Sequence, residues 1–334
     1  MATSMKYPDS APDFLEENGW GDGALLPLAG DASFRRYFRV VAPGRTAVLM
    51  HAPPETENSQ PFLDVATHLN RLGFAAPRIM ASDLEKGLIL LEDFGDARMR
   101  EVVDAAPESE ARIYRDAVTL LGVLHRSPAG DLPPYTLAEY LREARLFTEW
   151  YAPAVDITVD EEAYETAFTQ ALKPVLELGE PVTVLRDYHA ENLMLLEGRH
   201  GIGSLGLLDF QDALAGHPAY DLVSLLQDAR RDVNRELEEN MLTHYRVTNP
   251  DAAGQGFEAA YAVLGAQRNA KILGIFTRLW KRDGKSRYLS YQARVWKYLE
   301  RDLRHPALAP VAAWFSANVP SSKRAAAWEG VSTR

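Results

Sequence analysis

The sequence predicts an α+β protein of two lobes, a small antiparallel-sheet lobe followed by a larger, mainly helical lobe. The chain has 334 residues, which is long for a single hydrophobic core. Short apolar runs separated by turn residues dominate before Gly95, whereas apolar residues three or four apart dominate after it. We therefore expect a first lobe over residues 1–94 and a second over 95–320, followed by a frayed tail over 321–334.

The first lobe is expected to contain a hairpin, a helix and a further strand. Pro43 and Gly44 mark a turn between two apolar runs. Ser59 is a suitable N-cap for a helix whose apolar stripe is closed by Gly73. The predicted strands cover residues 37–41, 46–50 and 87–91, and the predicted helix covers 60–72.

The helical pattern of the second lobe is interrupted by two short apolar runs. The stretch from residue 184 to 210 predicts a hairpin-like unit, because a polar, glycine-containing turn separates the runs. The segments on either side show the apolar face of amphipathic helices. Helices are predicted at residues 112–125, 140–151, 164–178 and 259–280.

The composition excludes several classes of protein. The chain contains no cysteine, which rules out disulfides, thiolate catalysis and cysteine-ligated zinc. A net charge of −11 argues against general nucleic-acid binding. No apolar run reaches the roughly 18 residues of a membrane span, and the polar start lacks the apolar core of a secretory leader. We expect a cytoplasmic protein without membrane or nucleic-acid partners.

One basic segment contrasts with this acidic chain. Residues 265–304 carry eleven Lys and Arg against three acids. Such a segment is most often a solvated helical face. The alternative is an electrostatic wall for an anionic substrate or nucleotide, and the sequence leaves both interpretations open.

Three polar side chains beside short apolar runs indicate the chemistry. Asp187 and Asn192 follow one run, and Asp209 ends the next. Phosphoryl transfer to a hydroxyl needs a partner for the departing proton and cations on the phosphate oxygens. Mg²⁺ keeps several waters and takes few protein oxygens. The spacing therefore predicts Asp187 as the catalytic proton acceptor, and Asn192 and Asp209 as magnesium ligands.

Three further residues flank this group. His189 is expected either to donate a hydrogen bond on the phosphate side or to brace the loop. Asp212 is expected either to support the metal group or to contact the substrate. Asp221 is expected to be structural, fixing the catalytic loop by accepting backbone N–H bonds, and a carboxylate there also suits the start of a helix.

The order of these pieces resembles the aminoglycoside phosphotransferase family. Residues 187–192 resemble its D-x-H-x-x-N loop, and residues 209–212 with 216–222 resemble its metal loop and its G-x-P-x-x-D-L motif. The match extends from about residue 25 to residue 305. No single motif is specific for the family, but the combination of motifs at this spacing is. The resemblance implies a bilobal, protein-kinase-like fold, ATP as co-substrate and Mg²⁺ as the metal.

Within that family the chain resembles kinases that phosphorylate N-acetylmuramate and N-acetylglucosamine at the anomeric hydroxyl. The segments that carry this resemblance are residues 30–37, 52–55, 267–276 and 282–285. It implies a role in peptidoglycan recycling towards UDP-sugar precursors, with a small amino sugar as partner and no obligate protein partner. An anomeric hydroxyl is more acidic than an ordinary alcohol, so an unperturbed carboxylate suffices as its proton acceptor.

The nucleotide site has the weakest pattern. The turn expected to cover the phosphates offers only Gly30. The nucleotide-binding residues that the resemblance implies are Ser33, Phe34 and Arg35 for the phosphates and Leu91, Glu92 and Asp93 for adenine. The strand over 46–50 lacks the lysine that kinases carry there. Either Arg35 or Arg36 is expected to supply that charge, or phosphate binding is weaker and metal-dominated.

The lactyl carboxylate of N-acetylmuramate would pair with a cation. The candidate acceptor-binding residues are His189, Asp212, Arg230, Arg231, Arg268 and Lys271. One alternative is the same fold acting on an aminoglycoside, choline or homoserine, although the basic segment disfavours a polycation. The other alternative is a nucleotide-binding scaffold without turnover, motivated by the missing strand lysine.

Overall fold

The structure is a computed structural model that describes residues 6–28 and 35–328. The chain divides into two units. The first comprises Met1–Val102 and Glu191–Asp212, and the second comprises Val103–Ala190 and Ala213–Arg334. The first unit is therefore discontinuous in sequence, and its second piece carries Asn192 and Asp209.

Strands are concentrated in the first unit, as predicted. They are β1 (Ala24–Pro27), β2 (Arg36–Ala42), β3 (Arg45–His51), β4 (Ile79–Asp83), β5 (Leu88–Glu92), β6 (Val182–Val184), β7 (Leu193–Leu195), β8 (Leu205–Leu207) and β9 (Leu214–Gly216). A five-stranded antiparallel sheet has the order β1-β2-β3-β5-β4. The predicted hairpin is β2–β3, and Gly44 in its turn has a left-handed φ of 73°.

The two faces of this sheet differ. Side chains alternate along a strand, so Phe38 and Leu49 share one face while Tyr37 and Met50 share the other. Phe38 and Leu49 are fully buried in a core to which helix α1 (Ala11–Glu17) contributes. Tyr37 and Met50 lie directly opposite each other in the strand register. The polar pair of Arg36 and His51 belongs to the first face, because these residues lie two positions from Phe38 and Leu49.

Most helices belong to the second unit, which confirms the predicted α+β arrangement. The helices are α1, α2 (Gln60–Arg71), α3 (Met99–Ala105), α4 (Glu110–Leu124), α5 (Leu137–Ala144), α6 (Ala152–Ala154), α7 (Glu161–Leu176), α8 (Ala219–Leu226), α9 (Arg235–Thr248), α10 (Phe257–Asp283), α11 (Gln292–Asp302) and α12 (Ala309–Asn318). The helix predicted at 140–151 is in fact α5 followed by a π-helical turn. Ser59 is the N-cap residue of α2, as predicted, although its side chain makes no capping bond.

The longest helix, α10, packs closely against that π turn. A Cβ atom at Gly274 would lie 2.2 Å from the carbonyl oxygen of Leu146, so only glycine allows this approach. The π turn, Phe147–Tyr151, begins immediately after Leu146. The Tyr151 hydroxyl accepts indole N–H bonds from Trp296 and Trp328, each at 2.7 Å. Buried hydrogen bonds therefore tie the turn to the C-terminal part of the chain.

A short hairpin, β7–β8, completes the first unit. Its strands pair from Leu193 opposite Leu207, and a bridge between Ala75 and Gly206 joins it to the rest of that unit. The hairpin-like unit predicted from 184 to 210 is too long, because Val184 in β6 pairs with β9 instead. The hairpin itself is confirmed over residues 193–207.

Two further observations concern possible membrane spans and the C-terminal end of the described chain. Within 6–28 and 35–328, no helix is both long and apolar enough to cross a membrane. The last described residues form two short 3₁₀ turns, Ser321–Lys323 and Ala325–Trp328. The lobe limits and the tail expected from the sequence stay predictions.

Candidate active site

The hairpin β7–β8 positions the two predicted magnesium ligands. Asn192 immediately precedes β7, and Asp209 lies just beyond β8. The Leu208 N–H donates to the Asn192 carbonyl at 2.9 Å, which closes the base of the hairpin. Asn192 Nδ2 lies 3.4 Å from Asp209 Oδ2, and Gln211 Nε2 donates to Asp209 Oδ1 at 2.9 Å. The strand pairing thus brings together two side chains that are far apart in sequence.

These side chains suit a hard cation. Asp209 has a left-handed backbone conformation with φ 58°, which is unfavourable for a non-glycine residue and recurs at functional sites. The oxygen and nitrogen of the Asn192 amide exchange on a flip, so its oxygen can face the carboxylate side. One carboxylate and one amide oxygen fit Mg²⁺, which retains water in its coordination shell.

The residues predicted to cover the nucleotide phosphates are described only in part. Ser33 and Phe34 lie outside the described residues. Arg35 is only 8% exposed, and its guanidinium forms an ion pair with Glu57 at 2.5 Å. Glu57 was not recognised in the sequence, because no local pattern connects it with Arg35.

The residues predicted to bind adenine lie at the end of β5. Leu91 is buried in the sheet, and the Glu92 N–H donates to the Arg78 carbonyl at 2.9 Å. The Asp93 carboxylate pairs with Arg39 at 2.8 Å. The Glu92 amide is thus engaged in the protein, and Leu91 lies opposite Val48 on one side and Ile79 on the other.

In the second unit, a buried carboxylate holds the loop that carries Asp187. Asp221, in the first turn of α8, accepts the backbone N–H of Leu185 at 2.6 Å and of Arg186 at 2.8 Å. The predicted structural role of Asp221 is therefore confirmed. Its side chain is fully buried, and burial raises its pKa to about 7 although these two bonds oppose the rise.

A second buried carboxylate supports the far end of this loop. Asp228, 1% exposed, accepts the Ala190 N–H at 3.4 Å and the Arg230 N–H at 2.8 Å. Sequence reasoning missed this residue. The available signal was an acid placed directly after the apolar run of α8, where an unpaired charge would be costly.

Arg186, next to Asp187, is fixed by a buried ion cluster. Its φ of 69° is left-handed. Its guanidinium pairs with Glu143, which also pairs with Lys271 at 2.7 Å and accepts the Tyr135 hydroxyl bond at 2.5 Å. Burial opposes ionisation of Glu143, but Lys271 and Arg186 outweigh burial and lower its pKa to about 2. Glu143 is thus a carboxylate that holds Arg186 and Lys271 near the loop that carries Asp187, and the sequence did not reveal it.

Two of the predicted acceptor residues lie beside the same loop. His189 is buried, and its Nε2 lies 3.2 Å from Arg230 Nη1. The Arg230 guanidinium also lies over the Phe276 ring at 5.7 Å. Lys271 belongs to the Glu143 cluster, and Asp212 is an exposed residue of the first unit beside Gln211.

The other two arginines are engaged elsewhere in the second unit. Arg231 pairs with Glu110 at 2.5 Å and with Asp104 at 3.0 Å. Arg268 is buried and donates to the Ser224 hydroxyl at 2.7 Å. Both have contacts that serve packing between segments of that unit.

Solved structures share this fold. The chain is similar to the choline kinase LicA from Streptococcus pneumoniae, with a TM-score of 0.62, 16% identity and coverage of 89% of this chain and 98% of that one. It is similar to the ADP-bound aminoglycoside phosphotransferase APH(2'')-Ib, with a TM-score of 0.60, 16% identity and coverage of 88% and 97%. The architecture is therefore the bilobal kinase-like fold of small-molecule phosphotransferases.

Sequence comparison gives the family. Residues 24–262 match the model of the phosphotransferase enzyme family, and the chain belongs to that family. It is 36% identical to the N-acetylmuramate/N-acetylglucosamine kinase of Caulobacter vibrioides over 97% of this chain and 100% of that protein. It is 37% identical to the kinase of the same name from Pseudomonas aeruginosa over 89% of this chain and 90% of that one. The chain is thus an enzyme that transfers a phosphoryl group to a hydroxyl.

Proposed function

We propose that this enzyme uses ATP to phosphorylate the anomeric hydroxyl of N-acetylmuramate and N-acetylglucosamine. The observation that carries the proposal is the agreement of four relatives, 34–37% identical over 87–97% of this chain, that bear this name. The product, a sugar 1-phosphate, would feed the recycling of peptidoglycan towards UDP-sugar precursors in the cytoplasm.

In this proposal Asp187 orients the anomeric hydroxyl and accepts its proton. Its loop is suited to that role because Asp221 and Asp228 hold the backbone on both sides of it. Asn192 and Asp209 would hold Mg²⁺, which when bound would neutralise charge on the phosphate oxygens. Ser33, Phe34 and Arg35 would bind the phosphates, and the backbone from Leu91 to Asp93 would bind adenine.

Arg230 is the best candidate to recognise the lactyl carboxylate of N-acetylmuramate. It is half-buried and contacts His189, two residues from Asp187. A guanidinium in that setting forms a directional pair with a carboxylate. Lys271 is a weaker candidate because Glu143 already engages it, and Arg231 and Arg268 are weaker because their partners serve packing. Asp212 is the remaining candidate for a sugar hydroxyl.

The test is ATP consumption with Mg²⁺ and a panel of acceptors: N-acetylmuramate, N-acetylglucosamine, glucose, choline and kanamycin. We expect turnover with the two N-acetyl sugars and a product whose phosphorus resonance is that of a sugar 1-phosphate. Turnover of choline or kanamycin without the amino sugars would contradict the sugar assignment. Absence of turnover with every acceptor, together with ATP binding, would favour a scaffold.

A further inference from the structure

The first unit needs a cation for the nucleotide phosphates, and its lysines are poor candidates. Lys6 and Lys86 are the lysines within residues 1–102 and 191–212. The side chain of Lys6 is 78% exposed and pairs with Asp9, and that of Lys86 is 46% exposed and pairs with Asp83. Neither lies beside Asp209 in any described contact, so the arginines of this unit are the better candidates.

Two arginines of β2 are directed to other partners. Arg36 Nη2 lies 3.2 Å from His51 Nδ1, and Arg36 Nη1 donates to the Lys6 carbonyl at 3.3 Å. Arg39 pairs with Asp93 at 2.8 Å and with Asp96 at 2.9 Å. Both guanidiniums therefore serve contacts within the sheet and the segment after it.

Arg35 differs from both, because its partner lies at the beginning of α2. Glu57, which pairs with Arg35, precedes that helix by three residues. Phe62 in the first turn of α2 stacks on Phe210 with ring centroids 5.1 Å apart. Phe210 directly follows Asp209, so Glu57 and the metal-binding carboxylate both lie at this end of α2.

The electrostatic surroundings of Arg35 agree with this placement. Burial disfavours its charge, but Tyr37, Glu57 and Asp209 together outweigh burial and raise its pKa. Burying a charged guanidinium is costly in free energy unless carboxylates compensate its charge. Arg35 therefore stays charged in this setting, as a group that binds phosphate requires.

We propose that Arg35 binds the nucleotide phosphates through its guanidinium and that Glu57 positions it, in place of the strand lysine that kinases use. This inference rests on nucleotide use in the proposed function, but not on the identity of the acceptor. A guanidinium presents five N–H donors in a planar fork, so one carboxylate and one phosphate oxygen can be bound at the same time.

The test is calorimetric titration of the full-length protein with Mg²⁺-ADP and, separately, with adenosine. The variants are Arg35→Ala, Arg35→Lys and Glu57→Gln, with Arg36→Ala as the competing arginine. Arg45→Ala is the matched control, because Arg45 lies in the same sheet and its contacts are Gly19 and Asp22. Thermal unfolding of each variant checks that it is folded.

We expect Arg35→Ala to weaken ADP binding by at least about tenfold, the range for one charge-assisted bond, and to leave adenosine affinity unchanged. Arg35→Lys should retain more ADP affinity than Arg35→Ala, and Glu57→Gln should show a smaller loss in the same direction. Arg36→Ala and Arg45→Ala should leave ADP affinity unchanged.

Three results would overturn the proposal. Unchanged ADP affinity in folded Arg35→Ala would show that Arg35 does not contact the phosphates. An equal loss of adenosine and ADP binding assigns Arg35 a structural role. A loss of ADP affinity in Arg36→Ala, without such a loss in Arg35→Ala, would assign the phosphate contact to Arg36. Failure of the amino-sugar assignment affects none of these measurements, because no acceptor is present.

Discussion

In the second unit, buried carboxylates accept hydrogen bonds from the backbone N–H groups of the loop that carries Asp187. In the β7–β8 hairpin of the first unit, side-chain amides instead donate hydrogen bonds to the carboxylate of Asp209. Asp221 and Asp228 are almost completely buried and fix the peptide on both sides of Asp187. Asp209 instead accepts bonds from Asn192 and Gln211. Both sets of bonds join an amide N–H to a carboxylate, but those to Asp209 are exposed to solvent, so water or a cation can replace them.

The comparison indicates that the loop and the hairpin have different structural requirements. A proton acceptor benefits from a rigid loop, because the geometry of the reacting hydroxyl must be maintained. A metal ligand benefits from contacts that can be replaced, because the cation must displace them to bind. Four substitutions and one pH measurement test this comparison.

The largest effect is expected from loss of the proton acceptor. Asp187→Ala should lower kcat by about 10²–10⁴, the usual contribution of a general base, while ADP affinity is retained because the nucleotide contacts are elsewhere. Steady-state kinetics and calorimetry give the two values. A variant with full activity would remove the central role of Asp187.

The metal ligand should show a smaller and cation-dependent effect. Asp209→Asn should lower activity by at least about 100-fold, since a bound cation contributes several kcal/mol, and excess Mg²⁺ should restore part of it. The matched control is Asp156→Asn, because Asp156 is an exposed aspartate with a similar left-handed φ of 57°. Equal losses in both variants would trace the effect to backbone strain rather than to the metal.

Asp221 should affect stability as well as activity. Asp221→Asn replaces an acceptor of two backbone bonds by a group with one acceptor oxygen, so the free energy of unfolding should fall by about 1–3 kcal/mol. Urea unfolding measures the change. Asp232→Asn is the control, because the Asp232 side chain is 82% exposed. An unchanged unfolding midpoint in Asp221→Asn would show that the loop does not depend on this carboxylate.

Arg230 should affect the choice of sugar. Arg230→Ala should raise KM for N-acetylmuramate by about tenfold, since a charge-assisted pair contributes about this much, and leave KM for N-acetylglucosamine, which has no carboxylate, nearly unchanged. Arg235→Ala provides a control on an exposed arginine that pairs with Glu239. A parallel change with both sugars would contradict recognition of the carboxylate.

The smallest effect is a pH dependence in the second unit. Burial lowers the pKa of His217 to about 4, while its unfolded value is about 6.5. The unfolded state therefore binds more protons between these values, and stability falls as the pH drops from about 6.5 to about 4. His217→Asn keeps an acceptor for the Ala219 N–H and should flatten this fall by about 1 kcal/mol per pH unit. Urea unfolding at several pH values would show it, and an identical slope in the variant would refute it.

The sequence was sufficient where local pattern determines structure. The apolar stripe predicted over 259–280 is present in α10, and the turn at Gly44 joins the predicted hairpin. Strands β1 and β4 were missed, because one is four residues ending in proline and the other alternates without a strong apolar face. The proximity of Asn192 and Asp209 follows from the β7–β8 hairpin, whereas the chemical roles of Asp187, Asn192 and Asp209 stay predictions.

The supporting groups could not be predicted in the same way. Glu57, Glu143 and Asp228 act on residues 22, 43 and 38 positions away, respectively. Each is an acid in a segment whose sequence is equally compatible with a solvated surface. Only tertiary packing reveals that they hold Arg35, Arg186 and Ala190.

The discontinuous first unit has a consequence for biosynthesis. Its sheet is complete in sequence by Val102, but its β7–β8 hairpin, with Asn192 and Asp209, follows only after residues 103–190. During translation a large part of the second unit is therefore synthesised before the first unit acquires its proposed metal ligands. A premature stop after Val102 would release a sheet that lacks both the Ala75–Gly206 bridge and the proposed magnesium ligands.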